Sequence, residues 1–302
     1  MECVACHETA GRDHRFREMM VGTRQEFAYW ECLACGCLQI VAVPENMSAY
    51  YPSDYYSFAL RAAAWKGWYY RSYFAAPRLM KALRRCSPDF ASVIGSKPRP
   101  GARILDVGCG GGELVGILRI LGFEAFGIDP HVRTSTPFVQ RAWLDDVQGD
   151  WDMVMFHHSL EHMVDHAEVL RSVRSKLKQG GLCLVRIPVA TWAWKHYGRD
   201  WVQLDAPRHF VVHTPRSFEL TAEAAGFRVE RIVFDSDEFQ FYGSELYRRD
   251  IPLRSNKAHG AFSRREIAMF RARAAELNRK QLGDQAAFSL TTDSSSQGES
   301  TK

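Results

Sequence analysis

The sequence has no apolar run long enough for a membrane helix, and this absence is the first constraint on the protein. A spanning helix needs about 20 mostly apolar residues, and no such stretch occurs in the 302 residues. The N-terminus, Met1-Glu2-Cys3-Val4-Ala5-Cys6-His7, has neither the basic start nor the apolar segment of a secretory signal. We therefore expect a protein of the reducing cytoplasm that does not span a membrane.

A strong charge of one sign is missing as well. The 39 lysines and arginines exceed the 35 aspartates and glutamates by only 4. Phosphate binding needs clustered basic residues rather than a small average surplus, so this balance does not indicate a nucleic-acid partner. Internal repeats are also absent, and the length suits one large domain with a small accessory unit.

Cysteine, in contrast, is present in numbers that need an explanation. Without a secretory signal, the eight cysteines indicate metal binding or free thiols rather than disulfides. Four of them form two Cys-x-x-Cys pairs, Cys3 with Cys6 and Cys32 with Cys35. Two such pairs supply the four tetrahedral thiolates of a structural Zn²⁺ site. We predict a zinc-ribbon-like module over residues 1–43, with Cys37 and His7 as competing ligands and redox-active thiols as the alternative.

The rest of the chain divides by composition. Residues 44–98 are rich in aromatic residues and arginine, and we expect a helical linker there. Pro98-Arg99-Pro100-Gly101 then interrupts any helix. From residue 99 to 255, short apolar runs alternate with helical patterns, which predicts an α/β domain with a mostly parallel sheet.

Individual elements of this α/β domain can be placed from periodicity and capping residues. Strands are predicted at Arg103–Val107, Glu124–Ile128, Trp151–Phe156, Leu182–Ile187 and Phe227–Phe234. Helices are predicted at Glu113–Leu121, Asp165–Lys178 and from the Thr214 cap to Gly226. Beyond them we expect a C-terminal helical segment over 256–290, with Ser263 as its cap, and a disordered polar tail over 291–302.

A glycine-rich turn follows the first of these strands. In Asp106-Val107-Gly108-Cys109-Gly110-Gly111-Gly112, residues without side chains let the backbone approach a ligand closely. The next strand ends at Asp129, followed by Pro130. A carboxylate at that place can accept hydrogen bonds from the hydroxyls of a ribose. A tight turn without a ligand is the structural alternative.

The same stretch resembles motif I of class I S-adenosylmethionine-dependent methyltransferases. The dinucleotide pattern G-x-G-x-x-G fits less well, because Glu113 stands at its last position. The resemblance implies a Rossmann-like fold with a mostly parallel seven-stranded sheet and S-adenosylmethionine as cofactor, with adenine near Trp143. The cofactor contacts that it implies are Asp106, Gly108, Cys109, Gly110, Asp129, Pro130, Leu144, Asp145 and His157.

A polar cluster follows the third predicted strand, at the sheet edge where open α/β sheets bind ligands. Its Leu160-Glu161-His162 triplet resembles one found in methyltransferases that act on sugars, polyketides and quinone precursors. A histidine titrates near neutral pH, so His158 or His162 could take the proton of an acceptor, with Glu161 orienting the ring. Alternatively, Glu161 and His162 cap the following helix and fix the loop.

A second cluster, Asp205-Ala206-Pro207-Arg208-His209, resembles a segment of bacterial methyltransferases that modify surface polysaccharides and sugars. Arg208 is a candidate for a two-pronged contact with a substrate phosphate or carboxylate, and His209 is another candidate base. Trp192 and Trp194 could stack on a sugar, although packing is the alternative.

The two cysteine pairs, the Tyr50–Tyr56 linker and the α/β core together resemble bacterial enzymes that include sugar C-methyltransferases, relative to which this chain is short. The resemblance implies methyl transfer to a sugar-containing or related small molecule, such as a nucleotide- or lipid-linked glycan precursor, in polysaccharide or secondary-metabolite biosynthesis. One alternative is an RNA methyltransferase that uses the arginines of residues 61–85. Another is a non-catalytic scaffold that binds partners through its zinc module.

Overall fold

The computed structural model describes residues 1–51 and 88–292. Most of the predicted linker, including the arginines of 61–85, and nearly all of the predicted polar tail lie outside the described residues. In the described ranges, no helix is long and apolar enough to cross a membrane.

The strands β1 to β11 cover Gly11–Arg17, Glu26–Cys32, Leu38–Ile40, Arg103–Val107, Glu124–Ile128, Val139–Gln140, Trp151–His157, Leu177–Pro188, Val211–Val212, Arg228–Phe234 and Gln285–Thr291. The described α-helices, α1 to α7, cover Pro88–Gly95, Glu113–Ile120, His166–Lys176, Trp192–Tyr197, Pro215–Ala224, Phe239–Arg248 and Arg264–Arg279. The caps predicted at Asp165, Thr214 and Ser263 each accept a backbone hydrogen bond at the start of a helix.

Seven strands form one sheet in the order β10-β11-β8-β7-β4-β5-β6. The five strands from β8 to β6 run parallel, and β11 is antiparallel to both of its neighbours. This confirms the predicted Rossmann-like fold with a mostly parallel seven-stranded sheet. The glycine-rich turn connects β4 to α2, so it lies at the carboxyl edge of the sheet.

Both faces of this sheet are covered, and adjacent residues of one strand enter different cores. Val154 and Phe156 of β7 pack in one cluster together with Leu105. Met153 and Met155 of the same strand pack in the other. Successive side chains of a strand point to opposite faces, so a strand buried on both faces is a continuous apolar run. This is why the central strands could be located from the sequence.

Strand β11 is the main difference from the prediction. Helix α7 begins after Ser263, as predicted, but residues 285–291 form a strand rather than the end of a helical segment. The run Ala286-Ala287-Phe288-Ser289-Leu290 is buried, because β11 lies between β8 and β10 inside the sheet. The sheet therefore continues past residue 255, the predicted boundary of the α/β domain. A smaller difference is that β8 begins at Leu177, directly after α3.

The N-terminal segment forms a second, antiparallel sheet in the order β1-β2-β3-β9. Its last strand comes from residues 211–212, in the connection between β8 and α5. Phe16 and Tyr29 pack in one apolar cluster with Trp201 and Phe241. The first 43 residues are too few to bury a core of their own, and this packing shows where their apolar side chains are covered.

Candidate active site

A cavity of about 1410 Å³ lies at the carboxyl ends of β4, β5 and β7. Pockets for one small molecule usually measure about 300–1,000 Å³, so this cavity has room for a cofactor and an acceptor together. All the residues that the sequence predicts as cofactor contacts line it: Asp106, Gly108, Cys109, Gly110, Asp129, Pro130, Leu144, Asp145 and His157.

The glycine-rich turn is held in place by close packing. Gly108 has a φ of 76°, and a Cβ added there would lie 2.4 Å from the Cβ of Ser159. Ser159 itself donates a hydrogen bond of 2.6 Å to the carbonyl of Val107. Any side chain at Gly108 would therefore combine a strained backbone with a clash. The glycine is required by the turn whether or not a ligand is bound.

Asp129 links the end of β5 to this turn. One carboxylate oxygen accepts a hydrogen bond of 3.0 Å from the amide of Gly110, and the other accepts one of 2.7 Å from the amide of His131. Two backbone donors hold the carboxylate at the cavity wall, and each oxygen keeps a second lone pair. The side chain is thus oriented to accept further hydrogen bonds from a ligand.

Asp106 lies at the bottom of the same part of the cavity. Burial, together with the charges of Asp89 and Asp129, raises the pKa of the carboxyl to about 8. Among the described residues, its Oδ1 has no hydrogen-bond partner. A cationic group in the cavity would relieve the cost of ionising this carboxyl.

The other part of the cavity is formed by two segments that meet after β7. Residues Leu160–His162 form a 3₁₀ turn directly after this strand. The amide of Phe210 donates a hydrogen bond of 2.7 Å to the carbonyl of Glu161, which joins the turn to the segment that carries His209. The His162 and His209 rings are 4.9 Å apart between centroids. The two sequence clusters, 48 residues apart in the chain, therefore form one site.

Glu161 is buried at the centre of this site. Burial alone would raise the pKa of its carboxyl, but the hydrogen bond from His158 and the electrostatic effect of the three surrounding imidazoles lower that pKa to about 2. Its Oε1 lies 3.1 Å from Nδ1 of His158. The carboxylate is ionised at neutral pH and surrounded by imidazoles.

The three histidines of the site differ in what their ring nitrogens contact. His158 bonds Glu161 through Nδ1 and the guanidinium of Arg186 through Nε2. A guanidinium only donates, so Nε2 of His158 is an acceptor that is already occupied. Nδ1 of His162 lies 2.8 Å from the carbonyl of Arg208. Burial, together with the electrostatic effect of His162, lowers the pKa of His209 to about 4, so this imidazole is neutral at neutral pH.

Arg208 lies behind the cavity wall and has no exposed surface. Its guanidinium donates to both carboxylate oxygens of Asp205, at 2.9 and 2.6 Å, and to Glu18 at 2.9 Å. The remaining terminal nitrogen donates to the carbonyl of Tyr50 at 3.0 Å. This arrangement favours a structural role for Arg208 over the substrate contact predicted from the sequence.

The tryptophans Trp192 and Trp194 also contact protein rather than the cavity. The Trp192 ring stacks on His196 at 4.4 Å. The Trp194 indole donates to Glu31 on β2 at 3.1 Å. Both contacts agree with the packing alternative.

Two residues of the N-terminal segment support this site, and neither could be identified from the sequence. The Tyr29 hydroxyl on β2 donates to the carbonyl of His209, and Glu18 is the buried ion-pair partner of Arg208. Their partners are 180 and 190 residues away in the chain. No local pattern connects positions so distant.

The four predicted zinc ligands are brought together. Sγ of Cys3 lies 3.5 Å from Sγ of Cys35, and Sγ of Cys6 lies 3.5 Å from Sγ of Cys32. All four sulfurs are within 4.8 Å of one another. Tetrahedral Zn–S bonds of ~2.3 Å require sulfurs about 3.8 Å apart, so the cluster fits zinc.

The two competing ligands have other partners. His7 bonds the carboxylate of Glu2 at 2.8 Å. Cys37 is buried, with its sulfur 3.9 Å from Nδ1 of His213. Neither belongs to the group of four sulfurs.

Comparisons with known proteins identify a methyltransferase domain in this chain. A family model described as a methyltransferase domain matches residues 68–232. A ubiquinone biosynthesis O-methyltransferase of Caulobacter sp. strain K31 is 29% identical over 160 residues, which cover 44% of this chain and 62% of that protein. The chain thus spans less than two thirds of that relative's length.

A second relative and one solved structure also match the chain. A ubiquinone biosynthesis O-methyltransferase of Xanthomonas axonopodis is 26% identical over 204 residues, covering 60% of this chain and 80% of the relative. The crystal structure of an S-adenosylmethionine-dependent methyltransferase from Archaeoglobus fulgidus is 22% identical with a TM-score of 0.44, covering 70% of this chain and 97% of that one.

Proposed function

The chain belongs to the class I S-adenosylmethionine-dependent methyltransferases, and on this premise we propose that it methylates a hydroxyl-bearing small molecule, a sugar or a related compound. One observation carries the proposal. A single cavity is lined at one end by the glycine-rich turn and Asp129, and at the other by His162 and His209. Bound S-adenosylmethionine supplies an electrophilic methyl group, which an aligned acceptor oxygen can attack in line.

We assign the cofactor end as follows. Asp129 accepts hydrogen bonds from the ribose hydroxyls, and the turn Gly108–Gly112 holds the methionine part. Asp106 faces the cationic groups of the cofactor, which would stabilise its ionised form against burial. Leu144 and Asp145 border the adenine.

We assign removal of the acceptor proton to the other end. His162 and His209 are the candidate bases, because Nδ1 of each ring lies against a backbone carbonyl and Nε2 is left to accept a proton. Glu161 is ionised and would stabilise a positive charge on either ring. His158, with both nitrogens engaged, would orient Glu161 instead.

We further propose that Cys3, Cys6, Cys32 and Cys35 hold a structural Zn²⁺. Four thiolates fill its tetrahedral coordination and leave no open position for chemistry. The metal would fix the end of the N-terminal sheet whose other residues contact the His209 segment.

The acceptor hydroxyl could belong to a sugar or to a phenol. The resemblance of residues 205–209 favours a sugar-containing acceptor, whereas the quinone-pathway relatives favour a phenol. Both classes present a hydroxyl group to the same histidines, so the site accommodates either chemistry. Arginines of 61–85, on which the RNA alternative rests, lie outside the described residues.

A methyl-transfer assay tests this proposal. Radiolabelled S-adenosylmethionine is offered with sugar nucleotides, lipid-linked glycans, phenolic quinone precursors or RNA, and Gly110→Arg serves as the control that blocks the cofactor turn. Label in a small hydroxylated acceptor supports the proposal, and label in RNA contradicts it. A protein that does not bind the cofactor in calorimetry would be the scaffold alternative.

A further inference from the structure

Three metal-ligating side chains lie together beside the cavity: His162 and His209 line it, and the buried Glu161 lies against them. One ligand atom from each lies within 4.8 Å of the other two. Nε2 of His209 is 4.0 Å from Oε1 of Glu161. Metal–ligand bonds of ~2.0–2.2 Å place ligands about 3.4 Å apart in a tetrahedron, so a bound metal would draw these atoms together by up to about 1.4 Å. We propose that these residues form a second metal site, for a divalent transition-metal ion.

The orientation of both imidazoles supports a metal. Nδ1 of His162 and Nδ1 of His209 each lie 2.8 Å from a backbone carbonyl, of Arg208 and Gln203 respectively. A carbonyl only accepts, so the proton is on Nδ1 and the lone pair is on Nε2. Histidine ligands of metals show this same support, with the non-ligating nitrogen donating to a carbonyl or carboxylate.

Glu161 supplies the independent sign of a ligand. Its side chain is 1% exposed, and in the described part of the chain its Oε2 has no hydrogen-bond partner. A buried carboxylate oxygen without a donor is costly unless a charge or a metal compensates it. Asp205 Oδ2 lies 3.9 Å from Nε2 of His209, but Asp205 is outside the group of three ligand atoms that lie close together, and Arg208 binds both of its oxygens.

The donor set indicates which ions would bind and what they would do. Two imidazoles and one carboxylate suit Zn²⁺, Mn²⁺, Fe²⁺ or Co²⁺ better than Mg²⁺. Three protein ligands leave an open position, and His162 and His209 both line the cavity. An acceptor hydroxyl could coordinate there. Its O–H bond would then break more easily, with the electron pair staying on oxygen and the proton passing to solvent.

This role rests on the methyl transfer of the proposed function but replaces its histidine base, because both Nε2 atoms would be metal ligands; metal binding itself depends on neither. If the protein binds the metal but transfers no methyl group, the metal site stands and the proposed function is wrong. If it transfers methyl groups but binds no metal, the proposed function stands and the metal site is wrong.

Cobalt binding to the full chain is the experiment. Weakly bound metal is removed with a mild chelator, zinc content is measured, and Co²⁺ is titrated while the visible and near-ultraviolet spectra are recorded. Cobalt on nitrogen and oxygen ligands gives weak visible bands, whereas cobalt on thiolates adds charge-transfer absorption. We expect one Co²⁺ per chain without charge transfer, bound at least tenfold more weakly by Glu161→Gln and His209→Gln.

The control is His259→Gln, an exposed histidine, which should bind Co²⁺ like the wild type. Calorimetry with S-adenosylmethionine identifies variants that remain folded, and His162→Gln, at a half-buried position, replaces any that do not. Cobalt bound only to thiolates, or bound equally well by all three variants, would overturn the proposal.

Discussion

The hydroxyl of Tyr29 donates a hydrogen bond of 2.7 Å to the backbone carbonyl of His209. Tyr29 is fully buried on β2, in the N-terminal sheet, whereas His209 lines the cavity. The segment that carries the cysteines is therefore in direct contact with the acceptor end of the site. Substitutions in this segment should therefore change kcat/KM for the acceptor more than the affinity for the cofactor.

Tyr29→Phe tests this contact. The variant leaves a buried carbonyl without its donor, which should lower the free energy of unfolding by about 1–3 kcal/mol. We expect a fall of roughly tenfold in kcat/KM for the acceptor with an unchanged Kd for S-adenosylmethionine. Tyr242→Phe is the matched control, because its hydroxyl also donates to a carbonyl, that of Ala258, at 2.8 Å. Equal effects of both variants on kcat/KM would contradict the positioning role.

Arg208→Met separates a structural role from a substrate contact. Removing the guanidinium leaves the Glu18 and Asp205 carboxylates buried without their partner, so the free energy of unfolding should fall by about 3–5 kcal/mol. Arg171→Met, which breaks an exposed pair with Glu168, should cost less than about 1 kcal/mol. Denaturant unfolding measures both. A raised KM with unchanged stability would instead restore Arg208 as a substrate ligand.

Asp106 gives the cofactor-free protein a pH dependence with a defined sign. Its pKa is about 8 in the folded state and about 4 when unfolded, so only the unfolded state releases the proton between these values. Stability should therefore fall as pH rises from about 4 to about 8. Asp106→Asn lacks this titration, and its Tm relative to the wild type should rise over the same window. Curves of Tm against pH that stay parallel for the two proteins would contradict the raised pKa of Asp106.

Asp129→Ala tests the cofactor assignment. Loss of the carboxylate should weaken S-adenosylmethionine binding by about ten- to a hundredfold, the loss of one or two hydrogen bonds to a charged group. Calorimetry measures the Kd, with the exposed Asp13→Ala as control. Unchanged affinity in the Asp129 variant would mean that the ribose lies elsewhere.

Two cysteine variants test the thiolate zinc site. Cys32→Ser should weaken Co²⁺ binding and lower its charge-transfer absorption, because one of four thiolate ligands is lost. Cys37→Ser should retain it, since Cys37 lies outside the group of four. An equal fall of the charge-transfer absorption in both variants would show that Cys37 is also a ligand.

The parts of the site that the sequence predicts are local in the chain. Neighbouring residues alone determine two of these parts: the run from β4 through the glycines to α2, and the acidic end of β5. Strand burial and turn geometry depend on residues adjacent in the chain. The helix caps at Thr214 and Ser263 could be placed for the same reason. Their hydrogen bonds close over three residues.

The unpredicted parts depend on distant partners. The sequence alone suggests that Arg208 binds an anionic ligand. In the structure its guanidinium is already bound by Glu18 and Asp205. Likewise, the apolar run at 286–290 is compatible with either a helix end or a strand. The unpaired edges of β8 and β10 decide between them, and these edges exist only after the rest of the sheet has formed.

Strand β11 also sets an order of events during synthesis. It is made after both of its neighbours, and it pairs with β8 across about a hundred residues of chain. Until it emerges from the ribosome, the backbone edges of β8 and β10 with which it will pair are left without a partner strand. Such edges favour association with other chains. We therefore expect the translating polypeptide to depend on chaperones up to its last strand, and slow steps in translation before residue 285 to lower the yield of folded protein.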